Sequence, residues 1–350
     1  MKEFNLNKLL RENIKNIKPY SSARDEYQDV TEDMVFIDAN ENPFENGVNR
    51  YPDPQQNKVK EALSELKGIP SNQILLGNGS DEVLDLIFRA FCEPNKDKII
   101  TLPPTYGMYS VLANLNAIEN IEIPLEYDFQ PDADEIIRVM HPQTKLLLLC
   151  SPNNPTANSF DADKIASLLD DFQGIVVIDE AYIDFSKDES WLSRLNDFPN
   201  LIITQTLSKA YGLAGIRLGI CYASEAIISV LNKIKPPYNI NQLTQEKALE
   251  RLNDEKAVKS EIKIILNERQ KLATALDAIS YVYFVYPSDA NFILAKVDDA
   301  NKRYQQLIKE GIVVRNRTNQ VLCEDCLRFT VGTAEENEKL IKVMNDLANV

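Results

Sequence analysis

Histidine is almost missing from this chain: its 350 residues include one, His141. A single imidazole excludes multi-histidine metal centres and HExxH zinc sites, and it argues against Ser-His-Asp and Cys-His catalysis. Cysteine is also scarce, with five residues, an odd number that does not suggest a disulfide framework. Cys323 and Cys326 form a CxxC, but no second pair accompanies it, so it reads as two unpaired thiols. No apolar run approaches the roughly 20 residues that a membrane span needs. The start, MKEFNLNKLLRENIKN, has no apolar core of a signal peptide, so an unprocessed cytoplasmic protein is expected. Positive charge is in deficit: 38 Lys and Arg against 53 Asp and Glu give a net charge of −15. That argues against non-specific binding to nucleic acid or an anionic membrane, and leaves small anionic ligands open. If the chain is an enzyme, its chemistry must come from Lys, Tyr, carboxylates or a bound cofactor.

At about 150 residues per domain, the length suggests two domains, at most three. Short apolar runs alternate with helical patterns, which predicts an α/β fold with a largely parallel sheet. Strands are expected at 74–76, 98–102, 145–150, 174–179, 201–206 and 217–222. The last two are joined by a short loop, so the sheet is not a plain repeat of strand, helix and strand. From about residue 243 the texture changes: a charged stretch with helical spacing (245–279) precedes strand-like runs at 281–286, 291–296, 311–315 and 326–331. The final helix opens on a capping box, Thr333 with Glu336. The expected organisation is an arm over 1–45 packed with the small domain, a large domain over 46–243 and a small α+β domain over 244–350.

Four segments end buried strands with polar residues, and in open α/β sheets ligands bind outside the carboxyl ends of strands. Gly77-Asn78-Gly79-Ser80-Asp81-Glu82 enters a helix whose backbone N–H groups suit a phosphate. It is neither GxGxxG nor a Walker A, and alone it reads as a capped strand–helix turn. In Cys150-Ser151-Pro152-Asn153-Asn154-Pro155-Thr156 two prolines keep the chain out of helix and fix Asn side chains at a strand end. Asp179-Glu180-Ala181-Tyr182 puts a carboxylate directly after a buried strand, which is costly unless it is paired; a structural ion pair would serve equally. Thr206-Leu207-Ser208-Lys209 continues to Arg217 through small and apolar residues. Desolvation there would favour a neutral, nucleophilic Lys209 amine. Together these are the parts that hold pyridoxal 5′-phosphate (PLP): an amine for its aldehyde, a carboxylate for its pyridine nitrogen, donors for its phenolic oxygen and a cradle for its phosphate.

The sequence resembles the fold-type I PLP-dependent aminotransferases and, within them, the histidinol-phosphate aminotransferase family. The resemblance rests on KPYSSAR (18–24), NENP (40–43), RYPDP (50–54), GNGSDE (77–82), PPTYGMYS (103–110), CSPNNPT (150–156), DEAY (179–182), TLSKAYGLAGIRLG (206–219), VVRNR (313–317) and LRFTVGT (327–333). It implies a large domain with a mostly parallel central sheet and a smaller C-terminal α+β domain. It also implies that Lys209 forms the Schiff base, Asp179 pairs with the pyridine N–H, and Asn154 and Tyr182 meet the phenolic oxygen. Tyr106 would stack on the ring. Ser80, Asp81, Ser208 and Arg217 would hold the cofactor phosphate, joined by Tyr51 from the other subunit of a homodimer. Arg328, Arg315 and Tyr20 would bind the substrate's anionic group, with Arg317 a less certain choice. The implied partners are L-histidinol phosphate and 2-oxoglutarate or glutamate. The alternatives are an aminotransferase of the same fold acting on other amino acids, a phospho-amino-acid decarboxylase and a non-catalytic PLP-fold regulator. The family's usual Asn-Pro-Thr-Gly reads Asn154-Pro155-Thr156-Ala157 here, and Ala157 is expected in unstrained backbone.

Overall fold

The computed structural model describes residues 4–19 and 34–348. Its centre is a seven-stranded sheet made of β1 (Ile74–Asn78), β2 (Lys98–Thr101), β3 (Glu119–Glu122), β4 (Thr144–Cys150), β5 (Ile175–Asp179), β6 (Leu201–Thr206) and β7 (Leu218–Ala223). The order is β1-β7-β6-β5-β4-β2-β3, and only β7 runs antiparallel to its neighbours. The short loop between the last two expected strands is the reason: it leaves no room for the crossover that a parallel return needs. β3 was not legible beforehand, because Glu-Asn-Ile-Glu is a polar, partly exposed edge.

The central strands are continuous apolar runs because both faces are covered. Leu147, Leu149, Val176, Ile178 and Ile203 bury one face; Leu146, Leu148, Ile175, Val177 and Ile202 bury the other. The described residues form twelve α-helices: α1 (Leu6–Leu9), α2 (Glu12–Lys15), α3 (Asn57–Lys67), α4 (Ser80–Phe91), α5 (Met108–Leu115), α6 (Ala133–Val139), α7 (Ala162–Asp171), α8 (Glu225–Ile234), α9 (Gln242–Leu252), α10 (Glu255–Asp277), α11 (Ala300–Lys309) and α12 (Ala334–Ala348). Among the described residues no helix is long and apolar enough to cross a membrane.

A second, fully antiparallel sheet comprises β8 (Val282–Val285), β9 (Phe292–Val297), β10 (Arg315–Asn316) and β11 (Cys326–Thr330), in the order β10-β11-β9-β8. The strand expected at 311–315 shrinks to Arg315–Asn316, since Val313 faces solvent and Ile312 bonds back to Leu307 O at 2.9 Å. The capping box forms: Thr333 N donates to Glu336 Oε2 (2.8 Å) and Glu336 N to Thr333 Oγ1 (3.2 Å).

Two expectations need correction. Residues 4–19 of the arm pack on the large sheet's helices, not on the small domain. Leu9, Leu10 and Ile14 are buried in the cluster that contains α4 and α8, and Arg11 N donates to Ala90 O at 3.1 Å. Ala157 is not in ordinary backbone either: its φ is +68°. The tight turn imposes this, because Ala157 N must reach Asn153 O (2.8 Å) while Ala157 O accepts from Asp289 N (2.7 Å). A left-handed Ala costs about 1–2 kcal/mol.

Candidate active site

One cavity of about 100 Å³ lies at the carboxyl edge of the large sheet. Its walls include Ser80, Asp81, Tyr106, Asn154, Asp179, Tyr182, Ser208, Lys209 and Arg217, with Cys150, Ala181 and Thr206. Parallel strands bring most of these together, since each loop after β1, β4, β5 and β6 opens at the same edge. Arg217 arrives differently. β7 is antiparallel, so its beginning, and not its end, lies at that edge, with Gly219 paired to Thr206.

The turn from β1 into α4 depends on two glycines. Gly79 has φ +79°, and a Cβ there would sit 2.7 Å from Arg217 Nη2. A Cβ on Gly219 would lie 2.3 Å from Ser80 N, so β7 approaches this turn as closely as backbone allows. Arg217 is thereby held beside the amino terminus of α4, with Nη2 3.7 Å from Asp81 Oδ2. Free N–H groups, hydroxyls and a guanidinium at one helix start form an anion cradle.

Asp179 is buried, and its carboxylate faces the cavity floor. Tyr109 Oη donates to Oδ2 (2.9 Å) and Ala181 N to Oδ1 (3.2 Å). Burial pushes its pKa up, while these bonds oppose the shift. Its neighbour Glu180 points away and is structural: it accepts from Ser190 Oγ (2.6 Å), Trp191 N (2.7 Å) and Gln205 Nε2 (2.8 Å). Tyr109 was missed by sequence reasoning. The available signal was its spacing, three residues after Tyr106 in PPTYGMYS, which puts both rings on one side of the α5 turn; they meet edge to face at 5.5 Å. Tyr106 Oη donates to Asp81 Oδ1 at 3.0 Å.

Lys209 Nζ lies 5.5 Å from the centre of the Tyr182 ring. Burial, then the nearby Arg328, lowers its pKa and enriches the neutral amine. Asn153 is tied into the loop by bonds to Pro104 O (2.8 Å) and Thr156 Oγ1 (2.7 Å), which leaves Asn154 to face the cavity. Arg328 reaches over from β11: its Nη1 donates to Asn154 Oδ1, and its guanidinium lies 4.9 Å from the Phe292 ring centre. Burial, then Arg317, pushes the Arg328 pKa down to about 10. Arg315 stands directly opposite Arg328 in the β10–β11 ladder and is exposed. Tyr51 is not in this cavity; it is half exposed and stacks on Tyr238 at 4.5 Å. Tyr20 lies outside the described residues.

The donor set fits PLP. A desolvated amine, a buried carboxylate, an amide with a phenol and an anion cradle line one space, each complementary to a different part of that molecule. Fold and site thus define a PLP-dependent aminotransferase of fold type I, and the sequence matches the aminotransferase class I and II family over residues 26–344. Histidinol-phosphate aminotransferase from Flavobacterium johnsoniae is 65% identical over 98% of this chain and 98% of its own length. The Flavobacterium psychrophilum histidinol-phosphate aminotransferase is 63% identical over 99% and 100%. The crystal structure of histidinol-phosphate aminotransferase from Clostridium acetobutylicum shares the fold, with a TM-score of 0.79 at 24% identity over 86% of this chain and 91% of that one. The chain belongs to the histidinol-phosphate aminotransferase family.

Proposed function

We propose that this chain transfers an amino group between L-histidinol phosphate and 2-oxoglutarate, giving imidazole acetol phosphate and glutamate, in histidine biosynthesis. The observation that carries the reading is the convergence of Lys209, Asp179, Asn154 and Tyr182 on one cavity with Arg328 at its rim. Lys209 would bond the cofactor's aldehyde carbon, Asp179 would hold the pyridine N–H, and Asn154 and Tyr182 would donate to the phenolic oxygen. Ser80, the Asp81 backbone N–H, Ser208 and Arg217 would hold the phosphate, and Tyr106 would stack on the ring. PLP, when bound, supplies an electron sink that makes the proton on the substrate's amine-bearing carbon removable.

The protein's own part is positional and acid–base. Asp179, kept from water, would hold a proton on the ring nitrogen. Lys209, its amine neutral and free, would accept the proton from the substrate's amine-bearing carbon on Nζ and return it within the same site. Arg328 and Arg315, with Tyr20, orient the substrate through its anionic group; guanidinium forks match carboxylate and phosphate alike. One pocket then serves both substrates in turn, so the kinetics are ping-pong.

The reading includes a homodimer in which Tyr51 reaches the partner's cofactor phosphate. Its support is that Tyr51 sits apart from its own chain's cavity, beside the exposed Val48 and Leu243. Sedimentation, and restored activity on mixing Tyr51→Phe with Lys209→Ala chains, test this. A cytoplasmic location accords with five buried, unpaired cysteines.

The decisive experiment adds single amines to the purified holoenzyme and follows its visible absorbance. Histidinol phosphate and glutamate should bleach the cofactor band, while tyrosine and leucine should not; the reverse pattern would move the chain to general amino-acid transamination. Lys209→Ala should abolish turnover with its melting curve preserved, and an active variant would refute the mechanism.

A further inference from the structure

Three arginines project from one face of the small sheet. Arg315 and Arg328 are cross-strand partners, so their side chains leave the same face. Arg317 follows two residues on, and its N–H continues the ladder to Cys326 O at 2.9 Å, so alternation keeps it on that face. This is the face turned toward the large domain, because Arg328 donates from it to Asn154.

Arg317 differs from every other arginine that is at least partly buried among the described residues. Arg11, Arg251, Arg269, Arg303 and Arg328 each donate a side-chain hydrogen bond. Arg317 has no such bond among the described residues, and its Nε is sealed from solvent without an acceptor. No Asp or Glu among the described residues pairs with Arg315, Arg317 or Arg328. A desolvated guanidinium with unused donors and like-charged neighbours is unfavourable unless an anion completes it. Burial and then Arg315 lower its pKa, the direction expected for a cation awaiting a counter-charge.

Resting on the reaction proposed above, we propose that Arg317 is a specificity-determining residue that reads the second negative charge of the phosphate monoester. Glutamate spreads its two carboxylate charges over separate carbons, one of them beside the reacting carbon, whereas a phosphate monoester concentrates close to two on a single group near neutral pH. Arg328 and Arg315 match the single charge, and the third guanidinium matches the dianion.

The test uses holoenzyme carrying Arg317→Gln and Arg317→Lys, with each half-reaction followed separately. For Arg317→Gln the KM for histidinol phosphate should rise about tenfold or more, with a smaller change in kcat. The KM for glutamate should change no more than about threefold. Inorganic phosphate, competing against glutamate, should inhibit the variant about tenfold less tightly than wild type. Arg317→Lys should recover part of both effects. An unchanged ratio of the two specificity constants, whether both fall together or neither moves, overturns the assignment. Wild-type enzyme that reacts with glutamate but not histidinol phosphate would instead refute the proposed reaction, and the phosphate arm would still report on Arg317.

Discussion

Tyr109→Phe removes the hydroxyl that meets Asp179 and Cys150 beneath the cofactor site. The hydroxyl donates to Asp179 Oδ2 at 2.9 Å, and both residues are buried, at 1% and 4% exposure. The substitution removes one oxygen and keeps the ring, including its edge-to-face contact with Tyr106. A hydrogen bond to a charged group contributes about 1.5–3 kcal/mol, and Asp179 would retain the interactions with Thr204 and Ala181 N. The loss raises the Asp179 pKa further in the direction that burial already drives it. The shared proton then shifts from the ring nitrogen toward the carboxylate, and the electron sink weakens. If about half of the bond energy appears in the barrier, proton removal slows roughly tenfold, since about 1.4 kcal/mol is a factor of ten. Single-turnover absorbance with glutamate and with 2-deuterated glutamate measures this step directly. The expected result is a slower rate, a larger isotope effect and a nearly unchanged KM. A rate within twofold of wild type at an unchanged isotope effect would refute the role given to this bond.

Further outcomes follow from the same geometry. Gly79→Ala forces a Cβ to within 2.7 Å of Arg217 Nη2 at a residue with φ +79°; cofactor affinity measured by equilibrium dialysis should fall at least tenfold, and unchanged affinity would show that Arg217 does not hold the phosphate. Lys60 is buried in α3, and burial, then Lys235, pushes its pKa down to about 8. Lys60→Met should therefore stabilise the protein by about 1–3 kcal/mol at pH 7. Between about pH 8 and 10.5 the wild-type unfolded state binds more protons here than the folded state, so wild-type stability rises with pH and the gap narrows. Urea melts at pH 7 and 9.5 check both the sign and the narrowing.

Much of the fold was readable because parallel strands buried on both faces leave apolar runs with no polar interruption. Leu146–Leu149 and Ile175–Ile178 could hardly sit elsewhere. The edge strand Glu119–Glu122 was invisible because an edge needs no such run. The capping box at Thr333 was legible because it is a local bond pattern. The φ of Ala157 was not, since its turn is tied by Asp289, 132 residues away in sequence.

The sequence by itself determined which chemistry was possible. One histidine excluded multi-histidine metal sites and argued against imidazole-centred catalysis, and strand-end Lys209, Asp179, Asn154 and Tyr182 supplied the groups that a PLP site requires. These residues are adjacent to strand ends, and the parallel sheet brings strand ends to one edge. Only the tertiary structure decided what surrounds them. Tyr109 beneath Asp179, the antiparallel β7 that delivers Arg217, and Arg317, whose side chain has no hydrogen-bond partner among the described residues, beside Arg315 and Arg328 all depend on segments far apart in the chain. No local spacing encodes such contacts, because they depend on how two sheets and their helices pack.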